Sequence, residues 1–140
     1  MKNLILVIIL LIIPFSAQTT YGGDTGTATG TGLEAQKIEI IVDSYSYEPD
    51  RITVTEGRPV EIMLRSVTSM IPHNFTIDDP ASGLDIDVDV PSGKDVTVTF
   101  TPVKTGEFKF YCDKKGIFGS HLKKGMEGTL VVLPAASESD

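Results

Sequence analysis

The chain has 140 residues, with 12 basic and 19 acidic side chains and a formal net charge of −7. That length suits one globular domain, and the acidic balance removes the attraction to phosphate on which nucleic-acid binding depends. Thirteen glycines, eight prolines and a single cysteine point to a turn-rich β domain without an internal disulfide, held by its core and any bound metal.

The first 18 residues predict a secretory signal, with an uncertain cleavage point. Lys2 precedes an apolar run over residues 4–13, and Ser16 and Ala17 supply small residues after it. The run is short for a membrane span, which needs about 20 apolar residues. The chain is therefore expected outside the cytoplasm, periplasmic or extracellular, and tethered to a membrane only if the signal stays uncleaved. With no cysteine near the start, lipid attachment is excluded. Residues 19–32, rich in Gly and Thr, predict a flexible linker, because they carry too little apolar surface to offset the entropy of ordering. Residues 33–134 are the expected folded domain, and residues 135–140 a disordered tail.

Within the domain, apolar and polar residues alternate over 37–42, 51–55, 59–66, 74–77, 84–90, 95–101, 107–112 and 128–133. A period of two argues for half-buried strands. Val96, Val98 and Phe100 share one face, and Phe108 and Phe110 flank Lys109. Glu56-Gly57, Asp79-Pro80, Pro91-Ser92-Gly93 and Thr105-Gly106 break the runs with turn chemistry. About eight short strands without a helical period predict an all-β, two-sheet Greek-key sandwich. Asp85, Asp87 and Asp89 mimic the opening of a calcium loop, but Val90 and Val96 stand where that loop needs Gly and Glu. Their alternation with Ile86 and Val88 predicts the solvent face of a strand.

Four residues carry candidate metal chemistry: His73, Cys112, His121 and Met126. Each has an ordinary reading taken alone: a lone cysteine or methionine is usually core filler. Together, two imidazoles, one thiolate and a thioether form the ligand set of an electron-transfer copper site. Thiolate and thioether suit Cu(I), and imidazole suits both oxidation states. On the predicted sandwich, Cys112 ends one strand, Met126 precedes the last, and His73 enters a third, so all four can meet at one pole.

The sequence resembles the cupredoxin family of type 1 blue copper proteins. The resemblance rests on His73-Asn74, on Tyr111-Cys112, on residues 125–132 (GMEGTLVV) and on the early strands over 47–66. It implies a cupredoxin-like fold binding one type 1 copper, with His73, Cys112 and His121 as the strong ligands and Met126 as the axial one. It also implies that Asn74 ties the two ligand loops. Eight residues separate Cys112 from His121, where small members of the family have two to four. This longer loop is similar to the blue copper domain of copper nitrite reductases. Those enzymes need a second copper held by further histidines, one of them directly before the cysteine. Here Tyr111 stands at that place and no histidine is left over.

The implied function is an electron carrier, not an enzyme, cycling Cu(I) and Cu(II) between redox partner proteins, as a monomer. The alternative is a copper-binding carrier or storage module without electron transfer. In the resembling family the second histidine lies near the surface inside an apolar collar. Here Ile71, Pro72, Ile117, Phe118 and Leu122 are the collar candidates. Lys114, Lys115, Lys123 and Lys124 would ring it, so the partner's docking face is expected to be acidic.

Overall fold

The computed structural model describes residues 34–117 and 119–136. The expected signal, the linker and most of the tail lie outside the described residues. Among the described residues there are eleven strands and two short 3₁₀ turns. They are β1 (Gln36–Asp43), β2 (Ser46–Glu48), β3 (Arg51–Thr55), β4 (Val60–Ser66), β5 (His73–Asp79), β6 (Leu84–Val90), β7 (Asp95–Phe100), β8 (Gly106–Tyr111), β9 (Lys115–Gly116), β10 (Gly119–Ser120) and β11 (Glu127–Leu133). All eight expected strands are present. The count is corrected from about eight to eleven by β2, β9 and β10, of three, two and two residues. Runs that short cannot display an alternation. Among the described residues, no helix is long and apolar enough to cross a membrane.

Two sheets form the sandwich, one ordered β2-β1-β4-β7 and the other β3-β11-β8-β5-β6. Each mixes pairings: β1 runs parallel to β4 and β11 parallel to β3, while β4–β7, β8–β11 and β5–β6 are antiparallel. Alternation decides which side chains meet between the sheets. Ile40, Val42, Ile62 and Leu64 come from the first sheet, and Phe75, Ile77, Phe110, Leu130 and Val132 from the second; all are buried. Phe75 and Phe110 stack with ring centroids 5.0 Å apart, and Tyr47 meets both edge-on. Each fully buried ring of this kind contributes about 2–3 kcal/mol from area alone. The backbone closes over this cluster at Gly128, where an added Cβ would overlap the Phe110 ring and the Asp50 carbonyl. On β6, Asp85, Asp87 and Asp89 are exposed while Ile86 and Val90 are buried, as expected for a strand's solvent face.

Candidate metal centre

His73 opens β5 with the same parity as Phe75 and Ile77, so its imidazole faces the space between the sheets. Cys112 follows β8 with the parity of Phe108 and Phe110 and points the same way. The two strands are neighbours, with Thr76 opposite Tyr111. Continuing that register sets Cys112 beside the start of β5. Two donors from rigid strands thus converge at one pole by alternation alone.

The other two candidates, His121 and Met126, lie on the segment between β8 and β11. Within it, two short strands pair as a miniature hairpin, Gly119 with Gly116 and Ser120 with Lys115. The hairpin carries the chain out and back, and the His121 N–H donates to the Lys114 carbonyl at 3.0 Å. The unusual Cys112-to-His121 spacing is therefore absorbed without displacing the histidine. A 3₁₀ turn, Leu122–Lys124, follows and stops at Gly125, whose φ is +90°. The Met126 N–H donates to the His121 carbonyl and the Cys112 N–H to the Met126 carbonyl, both at 3.1 Å. Met126 is fully buried, with its backbone bridging the two neighbouring candidates.

His73, Cys112 and His121 form a buried cluster with one donor atom from each within 4.8 Å of the others. The two Nδ1 atoms lie 3.2 Å apart, and the Cys112 Sγ is 3.3 Å from Nδ1 of His121 and 3.9 Å from that of His73. A first-row ion binds imidazole nitrogen at about 2 Å, so three donors in a plane around it stand about 3.5 Å apart. The observed triangle matches that spacing. The remaining ring nitrogen of His73, Nε2, is buried without a hydrogen-bond partner. That leaves Nδ1 as the atom this ring turns toward the cluster.

Burial sets the protonation. Desolvation lowers the His73 pKa to about 4, helped by the neighbouring His121. Desolvation also lowers that of His121, with Lys124 and Lys114 adding positive charge nearby. Both imidazoles are neutral at pH 7, the form that binds a metal. Desolvation raises the Cys112 thiol pKa, against the pull of the Asn74 and Lys114 backbone N–H groups. Losing the thiol proton is thus coupled to the arrival of a cation.

A family model, the cupredoxin-like domain, matches residues 4–132. The chain belongs to the cupredoxin-like domain family. Its cofactor is copper, and the His-Cys-His cluster of this cupredoxin is consistent with one type 1 copper. Cytochrome c oxidase subunit 2 of Thermus thermophilus is 28% identical over 102 residues, covering 73% of this chain and 69% of that one. A copper-containing nitrite reductase of Pseudomonas chlororaphis is 33% identical over 86 residues, covering 59% of this chain but only 24% of that one. The fold is also that of a reduced auracyanin from Roseiflexus castenholzii (TM-score 0.58, 22% identity, 72% of this chain and 100% of that one).

Around the cluster, Asn74 does what the resemblance implied. Its Oδ1 accepts from the Asp113 N–H at 3.0 Å, and its Nδ2 lies 2.8 Å from Asp113 Oδ1, 2.9 Å from Asp87 Oδ1 and 3.0 Å from Thr76 Oγ1. Its backbone N–H points at Cys112 Sγ, 3.5 Å away. Tyr47, deep in the core, donates its hydroxyl to the Asn74 carbonyl at 2.5 Å. The expected collar is present in part. A cavity of about 430 Å³ reaches His121 between Ile71, Pro72 and Ile117, with Tyr45 and Met70 completing its apolar wall. Leu122 does not line it, and Phe118 lies outside the described residues. The expected basic rim is thinner than the sequence implies, because Lys114 pairs with Asp89 at 2.5 Å. Tyr45, which packs against both histidines, escaped sequence reasoning. Its one signal was an aromatic residue in the short polar break after residues 37–42.

Proposed function

We propose that this chain is an exported type 1 copper protein that carries electrons between redox partners and catalyses no reaction itself. The observation that carries the reading is the convergence of His73, Cys112 and His121 on one buried point, with Met126 buried beside them. His73, Cys112 and His121 would hold the copper strongly, and Met126 would be the weak axial ligand. Copper in such a site supplies one-electron chemistry, cycling between Cu(I) and Cu(II). The protein's part is to keep the donors fixed. Strands position His73 and Cys112, and three backbone hydrogen bonds position His121 and Met126. Both histidines of the sequence are used in this one cluster, so no imidazole remains to build a second, catalytic copper.

The cavity beside His121 supports an electron exit there. A Cβ at Gly116 would stand 3.8 Å from His121 Nε2, with no other atom as near, so the glycine adds no side chain over this imidazole edge. Lys115, Lys123 and Lys124 are exposed nearby. A small apolar face with a charged rim suits brief encounters, and this rim favours an acidic partner surface. The apolar run over residues 4–13 supports export.

The test is the optical spectrum of the protein loaded with Cu(II). The parent is expected to show an intense visible band from thiolate-to-copper charge transfer and reversible voltammetry. Cys112→Ser should lose the band while keeping its β circular dichroism. A parent that binds copper without the band or without reversible redox cycling would indicate a copper carrier or store instead.

A further inference from the structure

Tyr45 and Ser44 are the two residues that link β1 to β2. Among the described residues Tyr45 is the one non-glycine residue with positive φ, at 64°. This conformation brings Cβ against the backbone and favours glycine, asparagine or aspartate. Nothing in the turn itself asks for tyrosine. The side chain, however, has work at the metal centre. Its ring stands edge-on to His121, with centroids 4.8 Å apart and planes at 81°, and edge-on to His73 at 6.3 Å and 89°. Lys124, from the turn between His121 and Met126, places Nζ 3.8 Å from the centre of the Tyr45 ring. Behind this ring His73 is 0% exposed and His121 only 4%.

We propose that Tyr45 is a positioning residue that clamps both imidazoles and shields the cluster from small external ligands, with Lys124 holding the ring in place. The inference rests on the copper reading given above. An imidazole ligand fails in two ways: its ring rotates off the metal, or a solvent-borne ligand takes its place. His73 is fixed by β5, but His121 rides on a loop, and beyond the Nδ1 contacts to His73 and Cys112 inside the cluster its hydrogen bonds act on the backbone. Tyr45 contacts the rings themselves, and it reaches both from a different sheet. A strained backbone kept at a functional site is the expected companion of such a role. Lys124 contributes a cation–π contact to the same ring, which links the His121 loop to the β1–β2 turn.

The experiment compares the parent with Tyr45→Gly, Tyr45→Asn and Tyr45→Phe. Glycine and asparagine suit the positive φ, so either variant keeps the turn while removing the ring. In the metal-free protein, the imidazole ¹H–¹⁵N signals of His121 should broaden or double in both ring-less variants and stay sharp in Tyr45→Phe. In the Cu(II) form, azide should perturb the visible band of the ring-less variants at a concentration at least tenfold lower than in the parent, with Tyr45→Phe matching the parent. Lys124→Met should lower the azide threshold by a smaller factor. The inference is overturned if folded Tyr45→Gly or Tyr45→Asn keeps parent-like imidazole signals and parent-like resistance to azide. If the parent itself shows no charge-transfer band, the electron-carrier reading fails separately, and the metal-free imidazole comparison still decides the role of Tyr45.

Discussion

Replacing Asn74 with alanine should cost the domain about 3–4 kcal/mol. Asn74 is 2% exposed, and three acceptors lie within 3.0 Å of its Nδ2. That group has two protons, so two of the three bonds are made at once. The carboxylates of Asp113 and Asp87 are the nearest partners, and bonds to charged groups contribute about 1.5–3 kcal/mol each. Both aspartates are exposed and regain water in the variant, so the low end applies, about 3 kcal/mol for the pair. The Asp113 N–H donating to Oδ1 adds about 1 kcal/mol. The amide also separates two anions that would otherwise face each other with no shared donor.

For a domain of this size the loss corresponds to a fall in melting temperature of about 12–30 °C. Thermal unfolding of the metal-free protein measures it directly. A double-mutant cycle with Asp87→Ala should give a coupling of about 1 kcal/mol or more, because the two side chains share a bond. The same substitution loosens the strap between the His73 and Cys112 segments, so the visible band of the Cu(II) form should shift or weaken. A loss under about 1 kcal/mol, with no coupling to Asp87, would show that water replaces the amide without cost and would refute the strap.

Gly128→Ala should destabilise the domain by about 3 kcal/mol or more, measured by urea unfolding, because the methyl meets the Phe110 ring and the Asp50 carbonyl and backbone cannot yield as a side-chain tip can. Acid should weaken the metal-free protein: His73 stays neutral in the fold down to about pH 4 while the unfolded chain takes up that proton near pH 6.5. Stability then falls as pH drops from about 6.5 to about 4, by roughly 3 kcal/mol in total, and denaturant titrations at pH 7, 5.5 and 4 should trace the slope. Met126→Leu should keep copper bound and raise the reduction potential by voltammetry, because a thioether favours Cu(II) slightly more than an alkyl group does; an unmoved potential would place the axial role elsewhere.

Why some of this was legible in the sequence, and some not, follows from what each residue type can signal alone. Alternation located eight strands because it reports one property, which face is buried. The His-Cys-His cluster was legible because Cys and His are scarce: one cysteine and two histidines leave few ways to assemble a soft metal site. The supports are common residues whose meaning depends on register. Asn74 pairs across from Asp89 on β6 yet bonds the side chain of Asp87, a diagonal that no one-dimensional pattern contains. Lys114 reads as one of four rim lysines until β6 places Asp89 beside it, and Lys124 is drawn over the Tyr45 ring, so the exposed charge nearest a partner is that of Lys115 and Lys123. The hairpin between Cys112 and His121 was hidden for the opposite reason, since Lys, Gly and Ser have little β propensity and form strands there only because both ends of the segment are anchored to the cluster. Tyr45 is the sharpest case. Local chemistry argues against a tyrosine at that backbone position, and the contacts that offset the strain come from His73 on β5 and from His121 and Lys124 beyond the hairpin. Where a residue contradicts its own turn, its contacts outside that turn must carry the explanation, and here they lead to the metal centre.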